Sequence, residues 1–278
     1  MQNTNPLTKY FRQPKIYLSL PSKGEFYPPG SIQGDPNNLP VFGMSAMDEI
    51  MFKTPDALFS GEATVQVIRS CIPAITQPWL MPQLDVDAVL IAIRIATYGQ
   101  TMPSSFRCKK CNEETKFDLD LSKTLDYFVS LDYIDSKIIG PLKINFRPLT
   151  YKELTDINVK SYELKRTLSQ KMEGKTETQK NKLINKTMTD IAEVQVDAFM
   201  KCIASVETDE DEVSDVNQIK EWISNADADF YEQIKNHLES QSKAWRIQNQ
   251  KTLCANEECQ QENSVEIRMD NSDFFARG

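Results

Sequence analysis

The chain has 278 residues, 40% of them hydrophobic and 26% charged, enough apolar material for a packed core and too much for global disorder. Its net charge is -8, from 32 basic and 40 acidic side chains, whereas nucleic acids and anionic membranes are bound through surplus Lys and Arg, so neither is expected as the main partner. No apolar run approaches the ~20 residues that span a bilayer, and Met1 to Lys15 has no apolar stretch of a secretory signal, so a reducing cytoplasm, or an assembly built there, is the expected location.

All fourteen prolines fall at or before Pro148, and seven of them lie in residues 1–40. Each ring fixes φ and removes a donor, so this head is expected to be extended, an arm lying on another surface. Within it Lys15 to Leu20 alternates as a short strand, and Pro21 to Gly24 and Tyr27 to Gly30 are turn chemistry. Helices follow. Ser45 and Asp48 form a variant capping box for a helix through Met51 and Phe52, with Asp56 and Ser60 as further candidate caps. Val65, Ile68 and Ile72 share one face of a helix that Pro73 stops. Asp85 is placed to cap the next helix, which is apolar nearly all round and therefore central, and Gly99 to end it. Met44, Met47 and Met51 recur at helical spacing and are expected to pack in the core.

Lys116–Leu121 and Leu142–Phe146 alternate with period two and read as strands. Thr150 and Glu153 make another capping box, with Leu149 as a hydrophobic staple. It opens a set of helices: about 151–172, about 177–205, and two shorter ones around Ile219, Trp222 and Ile223 and around Phe230, Ile234 and Leu238. Glu173-Gly174-Lys175 breaks the first pair. Acidity is concentrated at the end, where residues 207–278 carry seven basic and seventeen acidic groups. The run from Glu207 to Glu212 reads either as a solvated loop or as a docking surface for a basic partner.

The six cysteines are of two kinds. Cys71 and Cys202 sit in apolar helical stretches as small buried hydrophobes. Cys108 and Cys111 form a C-x2-C, Cys254 and Cys259 a C-x4-C, and each pair is followed by a polar turn and an alternating strand, the second at Ser264–Met269. A strand, a two-cysteine knuckle and a returning strand make half of a zinc ribbon, and two halves supply four thiolates for a closed tetrahedral shell. Cys111 and Cys254 are separated by 142 residues, and the helical block at about 150–250 is then an insertion between the halves. A redox pair and unligated knuckles are the alternatives. A thioredoxin-like C-x-x-C opens a helix, though, and here a strand follows.

No catalytic set is visible. The single histidine, His237, is expected at the surface of a helix, and neither a P-loop nor a G-x-G-x-x-G occurs. No catalytic residue and no cofactor-binding residue is assigned. The chain is read as a protein that is not an enzyme.

Leu20-Pro21-Ser22-Lys23-Gly24-Glu25-Phe26-Tyr27 is followed by Met47-Asp48-Glu49-Ile50 and Thr54-Pro55-Asp56-Ala57-Leu58. Gly61-Glu62-Ala63, Val67 to Pro73 and Leu90 to Gly99 continue the pattern. Over about residues 15–125 this resembles the baseplate hub family of T4-like contractile-tailed bacteriophages, the group with a hub subunit and a hub assembly factor. The resemblance is weaker over the helical block and returns at the second knuckle. It implies a structural component of the tail baseplate hub, built in the host cytoplasm and kept in the virion tail, with other phage baseplate and hub proteins as partners. Two other roles stay open. One is an assembly chaperone absent from the mature virion. The other is a zinc-ribbon nucleic-acid binder, since Arg107, Lys109, Lys110 and Lys116 make the first knuckle locally basic.

The expected fold class is α+β, mainly α-helical, with zinc-ribbon-like β hairpins, a large helical insertion and an extended N-terminal arm. The expected division is an arm over 1–43, a helical core over 44–100, the two ribbon halves at 101–148 and 251–278, and the inserted helical block at 149–250. Structural zinc on Cys108, Cys111, Cys254 and Cys259 is the expected cofactor. Leu20–Tyr27 and residues 207–215 are candidate contact regions, and deletion of residues 1–30 is expected to spare the remaining fold.

Overall fold

The computed structural model describes residues 6–52, 59–267 and 275, so the candidate cap Asp56 and the end of the strand expected at Ser264–Met269 lie outside the described residues. The chain is α+β, 48% helical and 20% strand in small sheets. It forms two compact units. One comprises Met1–Pro78, Asp85–Leu131 and Arg246–Gly278, the other Trp79–Leu84 and Asp132–Trp245. No helix among the described residues is long and apolar enough to cross a membrane.

The first unit begins with β1 (Pro14–Leu18) and β2 (Leu39–Phe42), an antiparallel pair. Leu18, Leu20, Leu39 and Val41 are all at most 1% exposed. What the proline-rich head lies on is therefore its own unit. Arg12 fastens it, donating to the carbonyls of Gly43 and Ser70, each at 2.6 Å, and pairing with Asp48 at 3.2 Å. The turn that follows needs glycine at position 24, where φ is +85° and a Cβ would lie 2.8 Å from Pro36.

α1 (Ala46–Phe52) opens on the expected box. Ser45 Oγ accepts from Asp48 N–H at 3.3 Å, and the Asp48 carboxylate accepts from Ser45 N–H at 2.7 Å. Its inward residues are Asp48 and Phe52, so Met47 is left 67% exposed and the methionine stripe is not core. α2 (Glu62–Cys71) starts on Gly61, without a side-chain cap, rather than on Ser60. α3 (Gln83–Tyr98) starts three residues earlier than a cap at Asp85 predicts, which puts Asp85 inside its first turn. From Val86 to Ala96 its apolar side chains are buried, as its all-round apolarity predicts. Gly99 takes the left-handed position at its end.

Asp85 has other work than capping. It is fully buried and accepts from Ser22 N–H at 2.8 Å, Ser22 Oγ at 2.5 Å and the Tyr27 hydroxyl at 2.9 Å. Desolvation pushes its carboxyl up to about 6 in spite of those donors. The stretch Leu20–Tyr27, expected to be a contact surface, is thus turned inward at Ser22, because a buried carboxylate requires donors. Deleting residues 1–30 removes Leu18, Leu20 and these donors together, so the rest of the unit is not expected to stay intact.

The second unit holds a four-stranded antiparallel sheet in the order β5-β6-β7-β8, from β5 (Ser136–Ile139), β6 (Leu142–Phe146), β7 (Ile203–Glu207) and β8 (Glu212–Val213). The strand expected at Leu142–Phe146 therefore has β5 and β7 as its neighbours. Between β6 and β7 run α5 (Tyr151–Lys171) and α6 (Glu177–Lys201), which pack on each other. α6 stops short of the expected 205, because the chain re-enters the sheet at Ile203. α7 (Val216–Asn225) and α8 (Ala228–Ala244) follow. Ile139, Ile144, Phe146, Met200, Ile203, Val206, Ile219 and Ile234 form the core. At the start of α5 the expected Thr150–Glu153 capping box is present. Burial alone would raise Glu153, but Arg147, at 2.8 and 2.9 Å, and Thr150 outweigh it and hold it at about 2.

His237 is not at the surface. It is 8% exposed, stacks on Phe146 with centroids 4.4 Å apart, and its Nε2 meets the Ile134 carbonyl at 3.1 Å. Desolvation holds its pKa below the ordinary 6.5. The neutral ring is the form that fits. Its contribution to stability is present above about pH 6.5 and is lost as the pH falls through the depressed value. Unfolding of the second unit is expected to become easier from pH 7 downward, and the His237→Phe variant to lose that part of the dependence, read by denaturant titration across pH. Leu20→Ala is expected to cost about 2–5 kcal/mol in the same measurement.

Candidate metal centre

Two further hairpins in the first unit carry the paired cysteines. β3 (Thr101–Arg107) pairs with β4 (Glu114–Asp120), and β9 (Gln250–Leu253) pairs with β10 (Glu262–Val265). β4 leads into α4 (Leu121–Val129), capped by Asp120, whose side chain accepts from Ser122 N–H. The first strand of each hairpin ends immediately before the first cysteine, and the knuckle forms the loop.

The knuckles close in the same way although their spacings differ. Cys108 N–H donates to the Glu113 carbonyl at 2.9 Å, and Cys254 N–H to the Gln261 carbonyl at 3.0 Å. Both bonds land two residues beyond the second cysteine. The two extra residues of the C-x4-C are taken up inside the loop by Asn256. Its Oδ1 accepts from Glu258 N–H at 2.9 Å and Cys259 N–H at 3.2 Å, and its carbonyl accepts from Gln260 N–H at 3.0 Å. In both knuckles the residue after the second cysteine is left-handed, Asn112 at φ 60° and Gln260 at φ 41°.

The sulfurs of Cys108, Cys111, Cys254 and Cys259 all lie within 4.8 Å of one another. Two close approaches cross between the knuckles: Cys111 to Cys254 at 3.5 Å and Cys108 to Cys259 at 3.9 Å. Disulfide sulfurs would be ~2.05 Å apart. Four thiolates around a zinc ion, with ~2.3 Å bonds at the tetrahedral angle, sit about 3.8 Å apart. The donor set and its spacing therefore fit a metal ion. Cys108 and Cys254 are buried, Cys259 is half-buried and Cys111 is exposed.

The thiols differ electrostatically. Backbone N–H groups of Cys111 and Lys110 draw Cys108 down to about 6, helped by Asn263 and opposed by desolvation. At Cys111 the Glu113 N–H lowers the thiol, yet desolvation and the sulfurs of Cys254, Cys259 and Cys108 outweigh it and push it up to about 12. A first thiolate forms readily, a further one is resisted by the charge already present, and a dication relieves that resistance. Cys71 and Cys202 are not members of this cluster. Cys71 is buried as expected and Cys202 only half-buried, and desolvation raises them to about 12 and about 11, which leaves both as inert thiols.

Two residues of the site carry no signature in the sequence. Thr115 and Asn263 are buried and touch sulfur: Thr115 Oγ1 donates to Cys254 Sγ at 3.8 Å and Asn263 Nδ2 to Cys108 Sγ at 3.5 Å. Their only local mark is a polar side chain in a strand, at the fourth position after a knuckle. Asn tolerates the left-handed region better than Gln, which costs about 1–2 kcal/mol there. Gln260→Gly is therefore expected to stabilise the protein by up to about 1 kcal/mol and Asn112→Gly to change it less, by thermal unfolding.

Neither the curated proteins nor the solved structures compared with this chain include a match. Residues 44–276 match the protein family described as T4 bacteriophage base plate protein. That span takes in α1, α2, α3, both cysteine knuckles and the whole second unit. The chain belongs to the T4 bacteriophage base plate protein family.

Proposed function

We propose that the chain is a structural component of the base plate hub, working through contacts with other base plate and hub proteins and without catalysis. Cys108, Cys111, Cys254 and Cys259 would hold a zinc ion as a structural clip. In this reading the protein is built in the host cytoplasm and stays in the tail of the virion. The observation that carries the role is the family match across nearly the whole chain. The zinc reading is supported by the four convergent sulfurs. Bound there, zinc supplies a closed four-thiolate shell with no position left for water, which is a structural rather than a catalytic arrangement. The residues do the rest. The two knuckles present thiolates from separate hairpins, which together make a zinc-ribbon-like module, and backbone N–H groups of Lys110, Cys111 and Glu113 bond the sulfurs of the first.

Elemental analysis of the purified protein is expected to find one zinc per chain, and proteomics of purified virions to find the chain. A protein free of metal removes the zinc clip. A chain abundant in infected cells and missing from virions is an assembly chaperone. Cys254→Ser and Cys111→Ser are each expected to weaken zinc retention by more than the about 100-fold that an outer partner costs. DNA titration at low salt is expected to show no binding, and salt-dependent binding there would favour the nucleic-acid reading instead.

A further inference from the structure

We infer that Thr115 and Asn263 are positioning residues of the thiol centre, each reaching out of its own hairpin to orient a sulfur of the opposite knuckle. This rests on the zinc reading above. Thr115 stands on β4, four residues after Cys111, and Asn263 stands on β10, four residues after Cys259. Their strand partners are Phe106 and Thr252, each two residues before the first cysteine of its own hairpin. The two positions are thus equivalent, and what they hold is equivalent too. Thr115 takes the first cysteine of the second knuckle and the next residue, bonding Cys254 Sγ and accepting from Ala255 N–H at 3.0 Å. Asn263 takes the first cysteine of the first knuckle and the next residue, bonding Cys108 Sγ and accepting from Lys109 N–H at 3.2 Å.

The orientation of each group follows from its other bonds. Thr115 Oγ1 already accepts from Ala255, and its own proton points to sulfur. Asn263 Oδ1 faces Lys109, so Nδ2 must face Cys108 and the Gln261 carbonyl, which it reaches at 2.8 Å. Both residues are at most 4% exposed, so water does not satisfy these donors. A buried donor aimed at a thiolate stabilises its charge and fixes its lone pairs, as outer partners of metal ligands do. Because the exchange is reciprocal, neither knuckle is fully oriented until the other hairpin is docked.

The test uses the full-length protein. Zinc per chain in the wild type is measured first, and a metal-free wild type overturns the zinc reading and this inference with it. Where zinc is bound, Thr115→Val is expected to speed transfer of zinc to a competing chelator by about 10–100-fold, and Thr115→Ser to restore the wild-type rate. In the cobalt-substituted protein the thiolate-to-cobalt charge-transfer band is expected to shift in Thr115→Val and return in Thr115→Ser. Asn263→Leu is examined separately by both readouts, so that a folding defect at one position leaves the other to decide. Release rates within twofold of wild type, with an unmoved cobalt spectrum, in a folded variant overturn the inference.

Discussion

Four sulfurs from stretches separated by 142 residues meet within 4.8 Å. The β module depends on that meeting, because neither hairpin has a core of its own. A lone two-stranded hairpin is marginal in water, and β9–β10 is only four residue pairs long. What joins the two hairpins is the exchange of hydrogen bonds made by Thr115 and Asn263. Both knuckles belong to the first unit, whereas Asp132–Trp245 of the second unit is chain that leaves and returns between them. In the chain-entropy picture, a cross-link closing a loop of ~100 residues removes about 5 kcal/mol of unfolded-state freedom. A clip at this place therefore acts on the stretch of chain that holds most of the second unit.

Elsewhere in the first unit buried carboxylates do the gathering. Asp48 draws together Arg12, Ser45 and Ser70, and Asp85 draws together Ser22 and Tyr27. In both cases at least one partner comes from a part of the chain distant from the carboxylate in sequence, and a carboxylate out of water is tolerable only with such donors around it. The second unit is organised differently, by an apolar cluster of sheet and helix residues, with His237 stacked on its Phe146.

Much of this was legible in the residues because the signals are local. The Ser45–Asp48 and Thr150–Glu153 boxes, the alternation of β4 and β6, the glycine after α3 and the two knuckles each announce themselves within a few positions. The misreadings are of groups whose role depends on distant partners. Asp85 looks like a cap from its neighbours and is instead the acceptor for residues some 60 positions earlier. Ile203–Glu207 continues a helical pattern, and only the presence of β6 beside it makes it a strand. His237 is an exception, because its burial has a local signal. Ile234, His237 and Gln241 are the buried residues of α8, three and four positions apart, and that periodicity puts the imidazole on the inward face. Thr115 and Asn263 leave only the faint mark of a polar side chain four positions after a knuckle, since their partners lie 139 and 155 residues away.

The pairing of α5 with α6 has a consequence of its own. From residue 156 to residue 193 no side chain of this pair is fully buried, and the buried ones, Thr155, Val194 and Met200, lie at the end nearest the sheet. Helices held by so little apolar contact open in sections rather than all at once. Protection of their amide hydrogens against solvent deuterium should therefore form a gradient, deepest beside Thr155 and Val194 and fading toward Gly174, while the sheet stays shut.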